Sequence, residues 1–288
     1  MLHLIHAEWL KLTKRPMTWI LLSIWLLLLV AQFLQFLVIS MIGQGILHPA
    51  QIEETTKRLA FPGIFGGIFG HVNGLGGIFA VILTAGMMGS EYSWGTLRTE
   101  LSRHPARVRY IAAKLATILL MLLVAILITL VVGMIAGWLV GSAAGGAGVP
   151  SIATLLQLPI AILRALYVLL PYVLLTFCMT IYGRSLLVGL AVGLVYLAVD
   201  VSFGAFATFA QLGGVWQAIY NLTVQQNITT FVDLNSRAFG LTPELLTGVV
   251  MTDIPSMPQA TIIIGFYCVS FVTTAIYFFR KRDITGPN

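Results

Sequence analysis

Six long apolar stretches, at roughly residues 17–42, 62–90, 113–140, 155–182, 186–209 and 260–279, set the terms on which this chain can fold. A helix needs about 20 mostly apolar residues to cross the hydrocarbon core of a bilayer. Inside lipid every backbone polar group must be paired within the protein, which leaves helices or closed barrels. Continuous apolar runs of this length predict an all-α, polytopic membrane protein with six transmembrane helices. Composition agrees, with 58% of residues hydrophobic and 9% charged. The first run is long and lacks a small-residue cleavage site, so it reads as an uncleaved span rather than a secretory leader.

The net charge of +6 does not point to nucleic acid, which needs Lys and Arg gathered on one solvated face. Here they flank the apolar runs. The positive-inside rule puts Lys11, Lys14, Arg15, Arg98, Arg103, Arg107, Arg109, Lys114, Arg184, Arg280, Lys281 and Arg282 on one side, against Lys57, Arg58 and Arg237 on the other. The richer side is read as cytoplasmic and holds both termini, the 91–112 loop and the 183–185 turn. The outer side receives connections 43–61, 141–154 and 210–259. In the last of these, Thr242, Pro243 and Glu244 read as the start of a short helix lying flat on the outer face. A single transmembrane domain over residues 1–288 is expected, in a bacterial plasma membrane.

Residues 2–15 read as an interfacial helix, because Leu2, Ile5, Trp9 and Leu12 recur at helical spacing with Lys11 and Lys14 roughly opposite. The competing reading is a frayed basic tail. Small residues recur every fourth position in three spans: Gly63, Gly67 and their neighbours Gly66, Gly70 and Gly74; Gly133, Gly137 and Gly141; Ser185, Gly189 and Gly193. Such stripes let helices approach closely in lipid, either within one subunit or at a dimer seam. The glycine-rich second span, with His71 and Asn73, also suggests a tilted or locally broken helix.

Chemistry-bearing motifs are sparse. Cys178 and Cys268 have no metal-ligand spacing, and the sequence has no HExxH, GxSxG or GxxxxGK[ST]. Catalytic, cofactor-binding and metal-ligating residues are therefore expected to be none. Glu53, Glu54 and Arg58 match the EExxxR element of membrane-embedded prenyl-protein proteases, but no companion FxxxH is present, and a solvated charge run is the plainer reading. Arg164 and Asp200 lie deep inside spans four and five, where ionisable groups are functional candidates by default. Their similar depth predicts a pair, serving either as a structural lock between two helices or as a substrate or proton site. His71 and Asn73 join them as intramembrane polar candidates.

The segment 91–114 is charged, basic and partly amphipathic. Trp94, Leu97 and Leu101 fall on one helical face, with Thr96, Glu100 and Arg103 opposite. Pro105 ends that helix, and Arg107, Arg109 and Lys114 are expected to snorkel at the inner surface. Glu91, the run Gly95, Thr96, Leu97 and Arg98, then Pro105, Arg107 and Lys114 resemble the cytoplasmic loop of ABC-2 type transporter permeases. Glu8, Lys11 and Arg15 look like that family's N-terminal connecting helix, and Phe279-Arg280-Lys281-Arg282-Asp283 like its C-terminal ending.

The resemblance implies a six-span permease subunit, with the loop between spans two and three as a coupling helix seated in a groove of a separate cytoplasmic ATPase. ATP and Mg would bind that partner and none would bind this chain. A second permease, identical or paralogous, would complete the transporter. Glu91, Trp94, Gly95, Thr96, Leu97, Arg98 and Leu101 would carry the coupling, and transport would run outward, with an amphiphile among the possible substrates. The alternative reading is a secondary transporter or channel with Arg164 and Asp200 as an ion relay.

Overall fold

In the computed structural model, residues 2–42, 48–97, 107–205, 213–242 and 254–281 are described, and their regular structure is entirely helical. The helices are α1 Leu2–Thr13, α2 Pro16–Ile42, α3 Pro49–Lys57, α4 Gly63–Ser93, α5 Arg107–Ala143, α6 Ile152–Gly183, α7 Leu186–Ala205, α8 Gly214–Leu222, α9 Val224–Ala238 and α10 Met257–Lys281. Five of them (α2, α4, α5, α6 and α10) are long and apolar enough to cross a membrane. In α7 the apolar stretch Leu186–Ser202 is shorter. The run read as the fifth span continues to 209, and residues 206–212 lie outside the described set, as do 43–47, 98–106, 243–253 and 282–288. The helix expected to start at Thr242 and Pro243 therefore falls outside it.

The most apolar stretch of α4 is 67% buried, against 22% for α2 and 17% for α10, so α4 is the central post. It packs on α2, α5, α6, α7 and α9. Despite nine glycines it is one unbroken helix, which excludes the locally broken form of the expectation of a tilted or locally broken helix. Its glycines admit neighbours instead: Gly66 receives Leu241, Gly67 receives Phe33 and Phe36, and Gly89 receives the backbone of Leu186. The stripe on α5 works the same way, with Ile68 and Ile64 of α4 lying where Cβ atoms would stand on Gly133 and Gly137. On α7, Gly189 and Gly193 face Thr180 and Thr176 of α6. Gly67, Gly133, Gly137, Gly189 and Gly193 are thus filled by packing within the chain, whereas Gly74 is exposed with nothing within 4 Å of where a Cβ would stand.

The helices meet at two ends. At the first lie α1, the C-terminus of α4, the N-terminus of α5, the α6–α7 turn at Arg184 and the C-terminus of α10, whose last carbonyls, on Phe279 and Arg280, accept from Arg107 Nη1 at 3.4 and 3.0 Å. At the opposite end three connections are fastened together. Phe61 N–H donates to Ala147 O at 2.8 Å. Glu54, fully buried on α3, accepts from Thr242 N at 2.6 Å and Thr242 Oγ1 at 3.0 Å. Phe239 stacks on Phe69 with ring centroids 5.6 Å apart. Glu54 thus corrects the reading of 53–58 as a solvated charge run, although Glu53 is exposed and pairs with Lys57.

Between α7 and α10 the described residues form two helices, α8 and α9, that the hydropathy reading passed over. Thr223 caps α9, its Oγ1 accepting from Gln226 N at 3.4 Å. The helix buries Val224, Ile228 and Phe231 at helical spacing against α6 and α10.

Candidate functional site

The densest arrangement of charge in the described residues lies where α1, α4 and α5 meet. Lys114, on the second turn of α5, is fully buried; its Nζ donates to Glu91 Oε1 at 2.6 Å and to Glu8 Oε2 at 2.7 Å. Lys11 Nζ donates to Glu8 Oε1 at 2.8 Å and stands 3.7 Å from Glu91 Oε1. Tyr110, one turn before Lys114, donates to Glu91 Oε2 and places its ring 5.1 Å from the Lys114 ammonium. Two carboxylates and two ammoniums balance, and all four carboxylate oxygens have donors, which is the condition under which buried charge is tolerated. Burial opposes the charge on Glu8, but Lys114 and Lys11 outweigh it and hold its carboxyl below the usual glutamate range.

This cluster adjoins an exposed turn. Trp94 caps α4, and Gly95 follows at φ +67°, the left-handed conformation that glycine adopts without a Cβ clash. Trp94 is 65% exposed, and the Arg15 guanidinium lies 5.0 Å from its ring centroid. Arg15 Nη1 also donates to Ser90 Oγ at 2.8 Å, tying the α1–α2 junction to the last turns of α4. Leu97, two residues past the glycine, turns back into the core.

Several expectations change here. Glu91 belongs to α4 and is 2% exposed, with its carboxylate inside the cluster. Lys114 does not snorkel, because two carboxylates hold it inside. Trp94 and Leu97 do not share a face, because the Trp94–Gly95 turn interrupts the helix read through 91–103. Thr96 follows that turn, whereas Arg98 and Leu101 lie outside the described residues.

Arg164 and Asp200 do not pair. Arg164 Nη1 reaches Asn235 Oδ1 at 3.4 Å, while Asp200 accepts from Tyr172 Oη at 2.8 Å and from Gln225 N at 3.2 Å, at the N-terminus of α9. Equal depth on two helices does not fix their facing direction, and α9, missed in the sequence, supplies a partner to each, with Tyr172 of α6 as the second partner of Asp200. His71 bonds Gln32 and the carbonyl of Trp25, and Asn73 Oδ1 is buried without a partner.

A model of the ABC-2 family transporter protein matches residues 4–200, from α1 through most of α7. The chain belongs to the ABC-2 transporter family. It is accordingly an integral membrane protein and a permease component of an ABC transporter, and the match includes every residue of the Glu8, Lys11, Glu91, Tyr110 and Lys114 cluster. No match was found among curated proteins or among solved structures. Sequence reasoning singled out Glu91 and Lys114 without their buried ion partners and missed Tyr110 and Ser90. A Tyr four residues before a Lys on the entry turn of a span was the available signal.

Proposed function

We propose that this ABC-2 permease subunit exports its substrate by responding to a separate cytoplasmic ATPase that docks at the Trp94 turn. The reading takes six spans with both termini inside, α7 as the fifth, and two permeases per transporter; the ATPase would hold ATP and Mg. Its main support is the ionic cluster set directly behind an exposed aromatic turn. Force applied at Trp94 would reach α1, α4 and α5 together, because Lys114 of α5 joins Glu91 of α4 and Glu8 of α1 through charged hydrogen bonds. Glu91, Lys114 and Glu8 are positioning residues in this scheme, and Trp94 and the segment after it are the docking surface. A rigid-body shift of the helices between two arrangements then follows from a partner that binds one arrangement better. An Arg164–Asp200 relay has no comparable support, since the two side chains have separate partners.

The test is co-purification of the tagged chain in mild detergent, followed by transport-linked ATPase assays. Trp94→Ala should lower recovery of a Walker-motif ATPase. Glu91→Gln should leave recovery near wild type while lowering coupled activity. Recovery of no such ATPase, or recovery indifferent to Trp94→Ala, refutes the docking reading.

A further inference from the structure

Half-way along the interface between α2 and α4, His71 is 2% exposed and has an acceptor at each ring nitrogen. Nε2 lies 3.1 Å from Trp25 O, and Nδ1 lies 3.0 Å from Gln32 Oε1. Gln32 is oriented by its other end, where Nε2 donates to Gly67 O at 3.2 Å. The array therefore runs carbonyl, imidazole, amide, carbonyl, and both terminal groups are backbone oxygens that can only accept.

Three contacts need three hydrogens. A neutral imidazole supplies one and the glutamine supplies one, because the amide that turns Nε2 to Gly67 necessarily turns Oε1 to the ring. An imidazolium supplies the missing hydrogen. Turning the amide over would satisfy a neutral ring, but it would set Oε1 against Gly67 O and break the bridge to α4. We propose that His71 is a proton-binding site, and that the bound proton fastens α2 to α4 through Gln32.

The surroundings make occupancy conditional. The ring stacks on Trp25 at 6.0 Å and 17°, a geometry that favours a cation. Among the described residues no carboxylate bonds it. On α2 there is no ionisable side chain, and those of α5 sit in its first two turns, at Arg107, Arg109, Tyr110 and Lys114. The other ionisable side chains of α4, Glu91 and Tyr92, lie at its far end. From α6, Tyr172 faces α4 near Gly77, bonded to Asp200 of α7. A cation, Arg58, lies against Gly70 and over the Phe36 ring. Two carbonyl-type acceptors and an indole face favour the charge; burial and Arg58 oppose it. The latch is engaged when the proton is present and released as pH rises. This inference does not depend on where an ATPase docks.

Trp25 is a built-in reporter, because a cationic imidazole quenches a stacked indole. In nanodiscs, a chain retaining Trp25 as its sole tryptophan should show a sigmoidal emission change as the pH is raised and the imidazolium loses its proton. His71→Gln should abolish it. Gln32→Glu should move the inflection up by one pH unit or more, a tenfold tighter proton, and Gln32→Leu should move it down. Nitroxide labels at the exposed positions Leu34 and Ile78, with Cys178 and Cys268 replaced, should report a short, narrow distance on the acid side and a longer one above the inflection. A flat titration, an inflection unmoved in both Gln32 variants, or a distance indifferent to pH overturns the proposal.

Discussion

Replacing Lys114 with Met removes the ammonium that bonds both Glu8 and Glu91 and leaves two carboxylates in a buried site. Breaking a buried, hydrogen-bonded charge set by deleting one member costs about 3–5 kcal/mol. Lys11 remains, 2.8 Å from Glu8 and 34% exposed, and offsets part of the loss. The low end, about 3 kcal/mol or roughly 150-fold in the folding equilibrium, is therefore expected. Glu91→Gln alone leaves Lys114 with Glu8 and should cost less, about 1–3 kcal/mol. The two together leave Glu8 and Lys11 as a balanced pair, so their combined cost should fall short of the sum by about 2 kcal/mol, within the range for residues in direct contact. Denaturant unfolding of the wild type, both single variants and the double variant, in mixed micelles and followed by helical circular dichroism, closes the cycle. Additivity to within about 0.5 kcal/mol would mean that these charges do not act on one another, and the cluster as described would be refuted.

Three further outcomes follow from the same geometry. Glu8 is held below the usual glutamate range, so its contribution to α1 docking is full above the unfolded value of about 4.3 and is lost as pH falls through the lower folded value; proteolysis of α1 should rise only in strong acid, whereas Glu8→Gln is already more cleavable at neutral pH. Gly95→Ala forces a side chain into the left-handed region at φ +67° and should cost about 1–2 kcal/mol, seen as a lower unfolding midpoint. Arg164→Met and Asp200→Asn, each with its own partners, should have additive effects on stability, and a strong coupling between them would contradict their separation.

Most of the helical layout was legible because the membrane imposes it, and the apolar runs carry that information locally. Burial of Glu91 and Lys114 was not, since a charged residue near a span end reads as solvated unless its partner is known, and Glu8 lies 106 positions from Lys114. The pairing of Arg164 with Asp200 failed on azimuth, which depth cannot supply. α9 was readable in principle, because Thr223 and Gln226 have capping-box spacing and Val224, Ile228 and Phe231 follow at helical intervals. A search for apolar runs passes over a helix whose buried face also carries Asn227, Thr230 and Asn235.

The fastening of α3, the turn at Ala147 and the strand of chain at Phe239–Thr242 has a mechanical consequence. Each belongs to a connection between different helices, yet Glu54, Phe61 and Phe239 clasp them into one plate over the end of α4. A tug on any one connection is shared by the others, so this end of the molecule resists opening by the swing of a single loop. It would give way by tilting as a hinged hatch, with the helices beneath it carried along.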